Sequence, residues 1–170
     1  MNNVLITGAG IGIGRATALA FAHSGYHVFV SDILSTEGQQ VTEEIASAGG
    51  SAQYIHLDVT DPASVSSAMT EISGATNNRL DCIINNAGIA GPTGPVENID
   101  IDEWRHTLAV DLDSVFLCTR RAVPLLRQSR GSIVNMSSTA GTHGCPHRSP
   151  YVAAKWAIRG LTMKIGRAHV

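Results

Sequence analysis

Short apolar, β-branched runs alternate with stretches of helical length five times along this 170-residue chain, a rhythm that admits few folds. Residues 3–7 (NVLIT), 27–32 (HVFVSD), 52–59 (AQYIHLDV), 80–86 (LDCIINN) and 131–138 (GSIVNMSS) read as strands. Residues 14–25, 35–50, 61–73, 102–129 and the segment from Tyr151 onward read as helices. Gly25 is expected to cap the first helix, a Ser/Thr cap to start the second, Pro62 to sit in the first turn of the third, and Pro124 to bend the fourth. Strict alternation of strand and helix predicts an α/β architecture, a doubly wound parallel sheet with helices on both faces and right-handed crossovers. No repeat, linker or low-complexity break interrupts the pattern, and 44% hydrophobic content suffices for one core.

Charge excludes some partners. The net charge is −2, and no basic cluster exists beyond pairs such as Arg120 and Arg121, which argues against nucleic acid or a membrane surface as partner. Cys82, Cys118 and Cys145 are odd in number and badly spaced for a disulfide framework or a zinc site, so a reducing, cytoplasmic setting is expected. The N-terminus shows no basic segment leading into an apolar one, and no apolar run approaches the roughly eighteen residues of a membrane span.

The first strand-to-helix connection is glycine-rich. In TGAGIGIG (7–14), Gly8, Gly12 and Gly14 stand where missing side chains let the backbone approach a pyrophosphate at the positive end of a helix. A phosphate-only loop is disfavoured, since no Lys-Ser/Thr pair follows. Asp32 ends the second strand, where a carboxylate accepts hydrogen bonds from both hydroxyls of an adenosine ribose. A 2′-phosphate would meet that charge with no cation at Ile11 or Ile33 to offset it, so the expected cofactor is NAD rather than NADP.

Together with Asp58-Val59, NNAG at 85–88, Ser138 and Tyr151-x-x-x-Lys155, the Thr7-Gly8-x-x-x-Gly12-x-Gly14 turn makes the chain resemble the short-chain dehydrogenase/reductases from Asn3 to about Met163. The resemblance implies a Rossmann-type sheet of order 3-2-1-4-5, a nicotinamide cofactor, and hydride transfer between an alcohol and a carbonyl. It implies cofactor contacts from Thr7, Gly8, Gly12, Ile13 and Gly14, from Asp58 and Val59 at the adenine, and from Asn85, Ala87 and Gly88 on the cofactor floor. It further implies that the full-length form is a homodimer or homotetramer, and that strands beyond the fifth and a substrate lid are missing here.

The chemistry has its own footing. Oxidising an alcohol requires a group to take the hydroxyl proton, and reduction requires a donor to the nascent alkoxide. A tyrosine, with an ordinary pKa of about 10, is ionised in only about one molecule in a thousand at pH 7, so it needs a nearby cation. Lys155 follows Tyr151 by one helical turn on the same face, and its ammonium is also placed to hold the nicotinamide ribose, so both residues are expected to serve catalysis and cofactor binding. Ser138 is expected at the C-terminal end of the fifth strand, orienting the carbonyl or alcohol. Asp111 stands where the family usually carries an Asn that positions a proton-relaying water. An Asp accepts from water but cannot donate an amide hydrogen, and a relay role and a helix-kink role both stay open.

Other features carry less. His143, Cys145 and His147 alternate in THGCPHRSP (142–150), but the loop contains glycine and prolines and has no fourth ligand, so no metal is expected and the segment reads as a substrate-pocket wall. Trp104 and Trp156 fall in apolar helical repeats and are expected in core or interface packing. No Arg or Lys is visibly committed to a substrate carboxylate or phosphate, so the substrate is a small secondary alcohol or ketone of unassigned identity. The alternatives are an isomerase or dehydratase using the same Tyr-Lys pair, and a cofactor-binding fragment or pseudoenzyme. The closing IGRAHV equals the translation of ATCGGAAGAGCACACGTC, which resembles a sequencing-library adapter. The expected native domain is therefore 1–163, with 164–170 a non-native tail.

Overall fold

In the computed structural model, which describes residues 1–167, β1 (Asn3–Thr7) has a strand on either side. It pairs in parallel with β2 (His27–Asp32), from Asn3 opposite His27 to Thr7 opposite Ser31, and with β4 (Cys82–Asn85), from Val4 opposite Cys82 to Ile6 opposite Ile84. With β3 (Ser51–His56) beside β2 and β5 (Ser132–Asn135) beside β4, the order is β3-β2-β1-β4-β5, as expected. Parallel neighbours cannot be joined by tight turns, so helices carry the crossovers. These are α1 (Gly12–His23), α2 (Ser35–Ser47), α3 (Pro62–Ala75), α4 (Ile101–Leu108) and α5 (Ser114–Ser129), and α6 (Ser149–Arg167) follows β5. Val4, Leu5, Ile6, Val28, Phe29 and Val30 are wholly buried, which is why these strands read as continuous apolar runs rather than alternating ones.

The chain divides into two compact units. The first, Met1–Ala87 with Leu117–Val134, holds the main core, where Leu5, Phe29, Ile72, Leu80, Ile83 and Ala122 are all fully buried. The second comprises Gly88–Phe116 and the residues from Asn135 onward, and is built on α4, α6 and a 3₁₀ turn at Thr139–Gly141. No helix among the described residues is long and apolar enough to cross a membrane.

Several element ends depart from the expected ones for local reasons. α1 begins at Gly12 rather than Gly14, while Gly25 takes the left-handed conformation (φ 81°) that closes the helix. α2 is preceded by Leu34, not by a Ser/Thr cap, because the Ser35 hydroxyl instead accepts from Tyr54 Oη at 3.2 Å. α3 keeps Pro62 in its first turn and is capped by Asp61, which accepts from Ala63 N and Ser64 N. β3 ends at His56 rather than Val59; Leu57 and Val59 are buried beyond it, so the apolar pattern outruns the ladder.

The expected helix 102–129 is interrupted, but not at Pro124, which lies inside α5. The interruption is a five-residue π-helical segment, Ala109–Asp113, after which the Ser114 hydroxyl donates to Val110 O at 2.5 Å. β5 stops at Asn135, so Ser138 lies three residues beyond the strand rather than on its end. Trp156 is 48% exposed, its ring carrying the Arg159 guanidinium 5.4 Å from the centroid, so core packing is excluded for it. Residues 164–167 of the expected tail continue α6, and 168–170 lie outside the described residues.

His27 joins β2 to β3 through its Nδ1, 2.7 Å from Ser51 Oγ, and its ring meets Phe29 edge-on at 4.7 Å. Burial holds its pKa below the usual 6.5. The unfolded chain thus binds this proton more readily, and the stability His27 contributes is complete above about pH 6.5 and lost as pH falls through its lowered folded value. Between about pH 7.5 and 5.5 the melting temperature of the native protein should drop by more than that of His27→Gln; equal drops would place the pH sensitivity elsewhere.

Candidate functional site

In the first unit the glycine turn sits at the end of β1, where the chain order reverses between β1 and β4. Crevices at such switch points, outside the carboxyl ends of the strands, are where open α/β sheets take ligands. Gly12 has φ 56°, and a Cβ there would meet nothing within 4 Å, so its outer face is open. Gly14 is the opposite case, since a Cβ would fall 2.0 Å from Gly8 O. Missing side chains thus serve conformation and access at Gly12 and close packing at Gly14. Arg15 is the first residue of α1 to find an i−4 carbonyl, Ile11 O at 3.1 Å. The first-turn N–H groups have no side-chain cap and no acidic neighbour, so they and the positive helix end present a site for an anion. Ile11 and Ile13 are exposed on either side.

Asp32, 8% exposed, is held by two backbone donors: Gly10 N at 2.9 Å to Oδ2 and Leu34 N at 3.0 Å to Oδ1. The glycine turn is thereby tied to the end of β2, and each carboxylate oxygen keeps acceptor capacity for a ligand hydroxyl. The nearest Arg or Lys in sequence, Arg15, is engaged by both oxygens of Glu44 at 2.8 and 2.7 Å. Asp58 accepts from Thr60 N and Thr60 Oγ1 at 2.8 and 2.7 Å, bonds that hold its pKa below the ordinary value, while the Val59 side chain is buried. Asn85 is buried and donates to Thr119 Oγ1 at 3.1 Å.

One residue of this cluster escapes sequence reasoning. Asn86 donates through Nδ2 to Thr7 O and Gly8 O at 2.9 and 3.0 Å, while Thr7 Oγ1 accepts from the N–H groups of Asn86 and Ala87 at 3.0 and 3.1 Å. The Asn86 amide therefore locks the loop after β4 onto the glycine turn. The doubled Asn at 85–86 was the available signal, but spacing alone does not reveal which one faces β1.

In the second unit α6 carries Tyr151 and Lys155 one turn apart, with Lys155 Nζ 5.3 Å from the Tyr151 ring centroid. Lys155 is 5% exposed, and its ammonium donates to Met136 O at 3.2 Å. Asp111, fully buried at the π segment, places Oδ2 3.6 Å from Lys155 Nζ and accepts from Ile89 N through Oδ1 at 2.7 Å. Burial raises the Asp111 pKa above the usual carboxylate value, opposed by the Ile89 hydrogen bond and by Lys155. A Cβ on Gly88 would lie 3.3 Å from Asp111 Oδ1 and 3.4 Å from Lys155 Nζ, so this glycine leaves room beside the pair. Ser137 Oγ donates to Lys155 O at 2.9 Å, and Ser138 caps the 3₁₀ turn, its Oγ accepting from Ala140 N at 3.2 Å. Among the described residues no three His, Cys, Asp or Glu side chains are grouped to hold a metal.

The sequence profile of short chain dehydrogenases matches residues 2–169. The chain is 41% identical over 167 residues to a trans-4-hydroxycyclohexanecarboxylate dehydrogenase of Sinomonas cyclohexanicum, which covers 93% of this chain and 62% of that protein. It is 41% identical over 159 residues to a cyclohexanol dehydrogenase of Acinetobacter sp. (strain SE19), covering 93% and 63%. The crystal structure of a 3-ketoacyl-ACP reductase from Sinorhizobium meliloti 1021 superimposes with a TM-score of 0.90 at 38% identity, covering 98% of this chain and 68% of that one. The chain spans about three-fifths of the length of these curated relatives.

Asp111→Asn keeps the acceptor for Ile89 N and removes a carboxylate that burial disfavours. Because the folded pKa of Asp111 is raised, wild-type stability falls as pH climbs from the unfolded value near 3.8 through the folded one. The melting-temperature difference between Asp111→Asn and wild type should therefore move in the variant's favour from about pH 4 to pH 7. A difference independent of pH would show that Asp111 does not titrate in this range.

Proposed function

The chain belongs to the short chain dehydrogenase family, and we propose that it acts as an NAD-dependent oxidoreductase interconverting a secondary alcohol and a ketone, with Tyr151 as the acid/base. The observation that carries this reading is the pairing, on one face of α6, of Tyr151 with a buried lysine whose ammonium lies 5.3 Å from its ring.

The first unit fits a dinucleotide. The open face at Gly12 and the first-turn N–H groups of Gly12, Ile13 and Gly14 suit a pyrophosphate, with Thr7 and Gly8 shaping the turn. The Asp32 carboxylate, oriented by Gly10 and Leu34, suits the two ribose hydroxyls, and with Arg15 already paired to Glu44 no cation there favours a 2′-phosphate. Asp58 and Val59 are assigned to the adenine and Asn85, Ala87 and Gly88 to the cofactor floor; since the Val59 side chain is buried, its backbone is what it offers a ligand. The cofactor, when bound, supplies or accepts the hydride.

The second unit supplies the proton chemistry. In oxidation the Tyr151 oxygen takes the substrate hydroxyl proton, and in reduction it returns one to the alkoxide. Lys155, kept in place by Met136 O and Asp111, supplies positive potential that favours the phenolate during transfer. Ser138 Oγ, which accepts a single backbone N–H, retains its own proton to orient the substrate oxygen. Asp111 has a second role in holding the lysine, alongside any part in water-mediated relay.

Tyr151→Phe should lower turnover by about 10²–10⁴-fold while leaving NADH affinity within about threefold, measured by steady-state assay and fluorescence titration. Substantial residual turnover would sink the acid/base assignment. Asp32→Ala should shift the NAD/NADP ratio of kcat/KM toward NADP by about tenfold or more, a loss of about 1.4 kcal/mol of discrimination. An unchanged ratio would count against Asp32 as the ribose ligand.

A further inference from the structure

Among the described residues Arg148 is a cation without a counterion. Its Nη1 donates to Thr93 Oγ1 at 3.3 Å, its Nε is buried with no hydrogen-bond partner among the described residues, and no carboxylate among them pairs with it. Its guanidinium carbon lies 5.3 Å from the centroid of the Tyr151 ring, so the proposed acid/base has Arg148 three residues before it and Lys155 four residues after it, at the same distance. Lys155 is provided with Asp111 and Met136 O, whereas among the described residues Arg148 has the Thr93 hydroxyl and the Tyr151 ring but no anion.

The backbone setting makes that cation less favourable still. Arg148 O accepts from Val152 N at 2.9 Å, which puts the residue at the N-terminus of α6, the helix end that favours negative rather than positive charge. The first turn of α6 has no acidic residue to compensate. The preceding His147 is left-handed (φ 61°), a conformation held by a 3.0 Å bond from Gly94 N to His147 O. Strained backbone of this kind persists where surrounding structure over-determines it, most often at ligand-handling positions. An anion at the guanidinium would relieve both the missing counterion and the unfavourable helix end.

We infer that Arg148 binds a carboxylate of the substrate, so that this protein acts on an alcohol or ketone bearing a carboxylate a few bonds from the reacting carbon. This rests on the reading of Tyr151 as acid/base, because the guanidinium at the Tyr151 ring places the carbon skeleton of a bound acid beside the phenol. The relative from Sinomonas cyclohexanicum, 41% identical, is named for a substrate of this form.

The test compares 4-hydroxycyclohexanecarboxylate with cyclohexanol as substrates of wild type, Arg148→Gln and Arg148→Lys. In Arg148→Gln the acid-to-neutral ratio of kcat/KM should fall about 10- to 100-fold, through KM rather than kcat, with Arg148→Lys retaining part of it. An unchanged ratio, or equal losses on both substrates, overturns the inference and leaves the acid/base reading standing. If wild type turns over neither substrate, calorimetric titration with the unreactive cyclohexanecarboxylate decides the inference alone. Binding weakened at least about tenfold in Arg148→Gln supports it, whereas equal binding, or none by wild type, overturns it. A loss of NADH affinity in place of acid affinity assigns the guanidinium to a cofactor phosphate and likewise overturns it. Should Arg148→Gln fail to fold by circular dichroism, the ratio and titration are read from Arg148→Lys against wild type.

Discussion

The parallel pairing of β1 on both of its edges is the constraint from which the first unit follows. A strand hydrogen-bonded to β2 on one side and β4 on the other has no edge left for water, and with helical crossovers covering the faces of a parallel sheet Val4, Leu5 and Ile6 are completely buried. Parallel neighbours impose helical crossovers, and the reversal of order at β1 leaves the C-terminal ends of β1 and β4 flanking a crevice. What closes over that end is polar. Asn86 and Asp32 use their side chains to satisfy the backbone of the glycine turn, and the Thr7 hydroxyl in return accepts from the backbone of Asn86 and Ala87. The groups proposed to face a ligand are thereby fixed in its absence, an arrangement that lowers the ordering cost of binding.

In the second unit the governing fact is a buried ammonium. Lys155 at 5% exposure is tolerable only because Asp111 and Met136 O face it, and Asp111 in turn is fully buried with one oxygen on Ile89 N. The π-helical segment at Ala109–Asp113 carries that aspartate, so an apparent irregularity in the helix coincides with the side chain that holds the lysine. An Asn at this position would satisfy Ile89 N without adding charge. With Asp, the lysine gains an anionic partner, and its positive potential is shared between the carboxylate and the tyrosine ring. Arg148, whose guanidinium carbon lies 5.3 Å from the centroid of the same ring, has no such partner among the described residues.

Much of this was open to sequence reading, because periodicity and glycine spacing report local physics. The five strands and their order agree with the expected scheme, and Gly8, Gly12 and Gly14 stand at the turn after β1, with Asp32 bonded to Gly10 N. Element ends agreed less well, since burial and hydrogen bonding are not the same signal. Leu57 and Val59 are buried but lie past the end of β3, and Ser138 continues an apparently strand-like run yet caps a 3₁₀ turn. Pro124 lies inside α5, and the helix departs from α geometry at Ala109–Asp113, where no residue type announces it.

Order along the chain and the chemistry of single residues were determined by sequence alone: an α/β sheet, a turn stripped of side chains, and a tyrosine one helical turn from a lysine. Partnership was decided only by tertiary structure. That Asn86 clamps Thr7 and Gly8 and that Asp111 is the anion facing Lys155 are contacts across at least 78 and 44 residues, and Arg148 finds Thr93 across 55 with no anion beside it among the described residues. Local propensity carries no information over such separations. Hydrogen bonds and ion pairs form where the fold brings donors and acceptors within about 3 Å, and burial then sets how much each one matters.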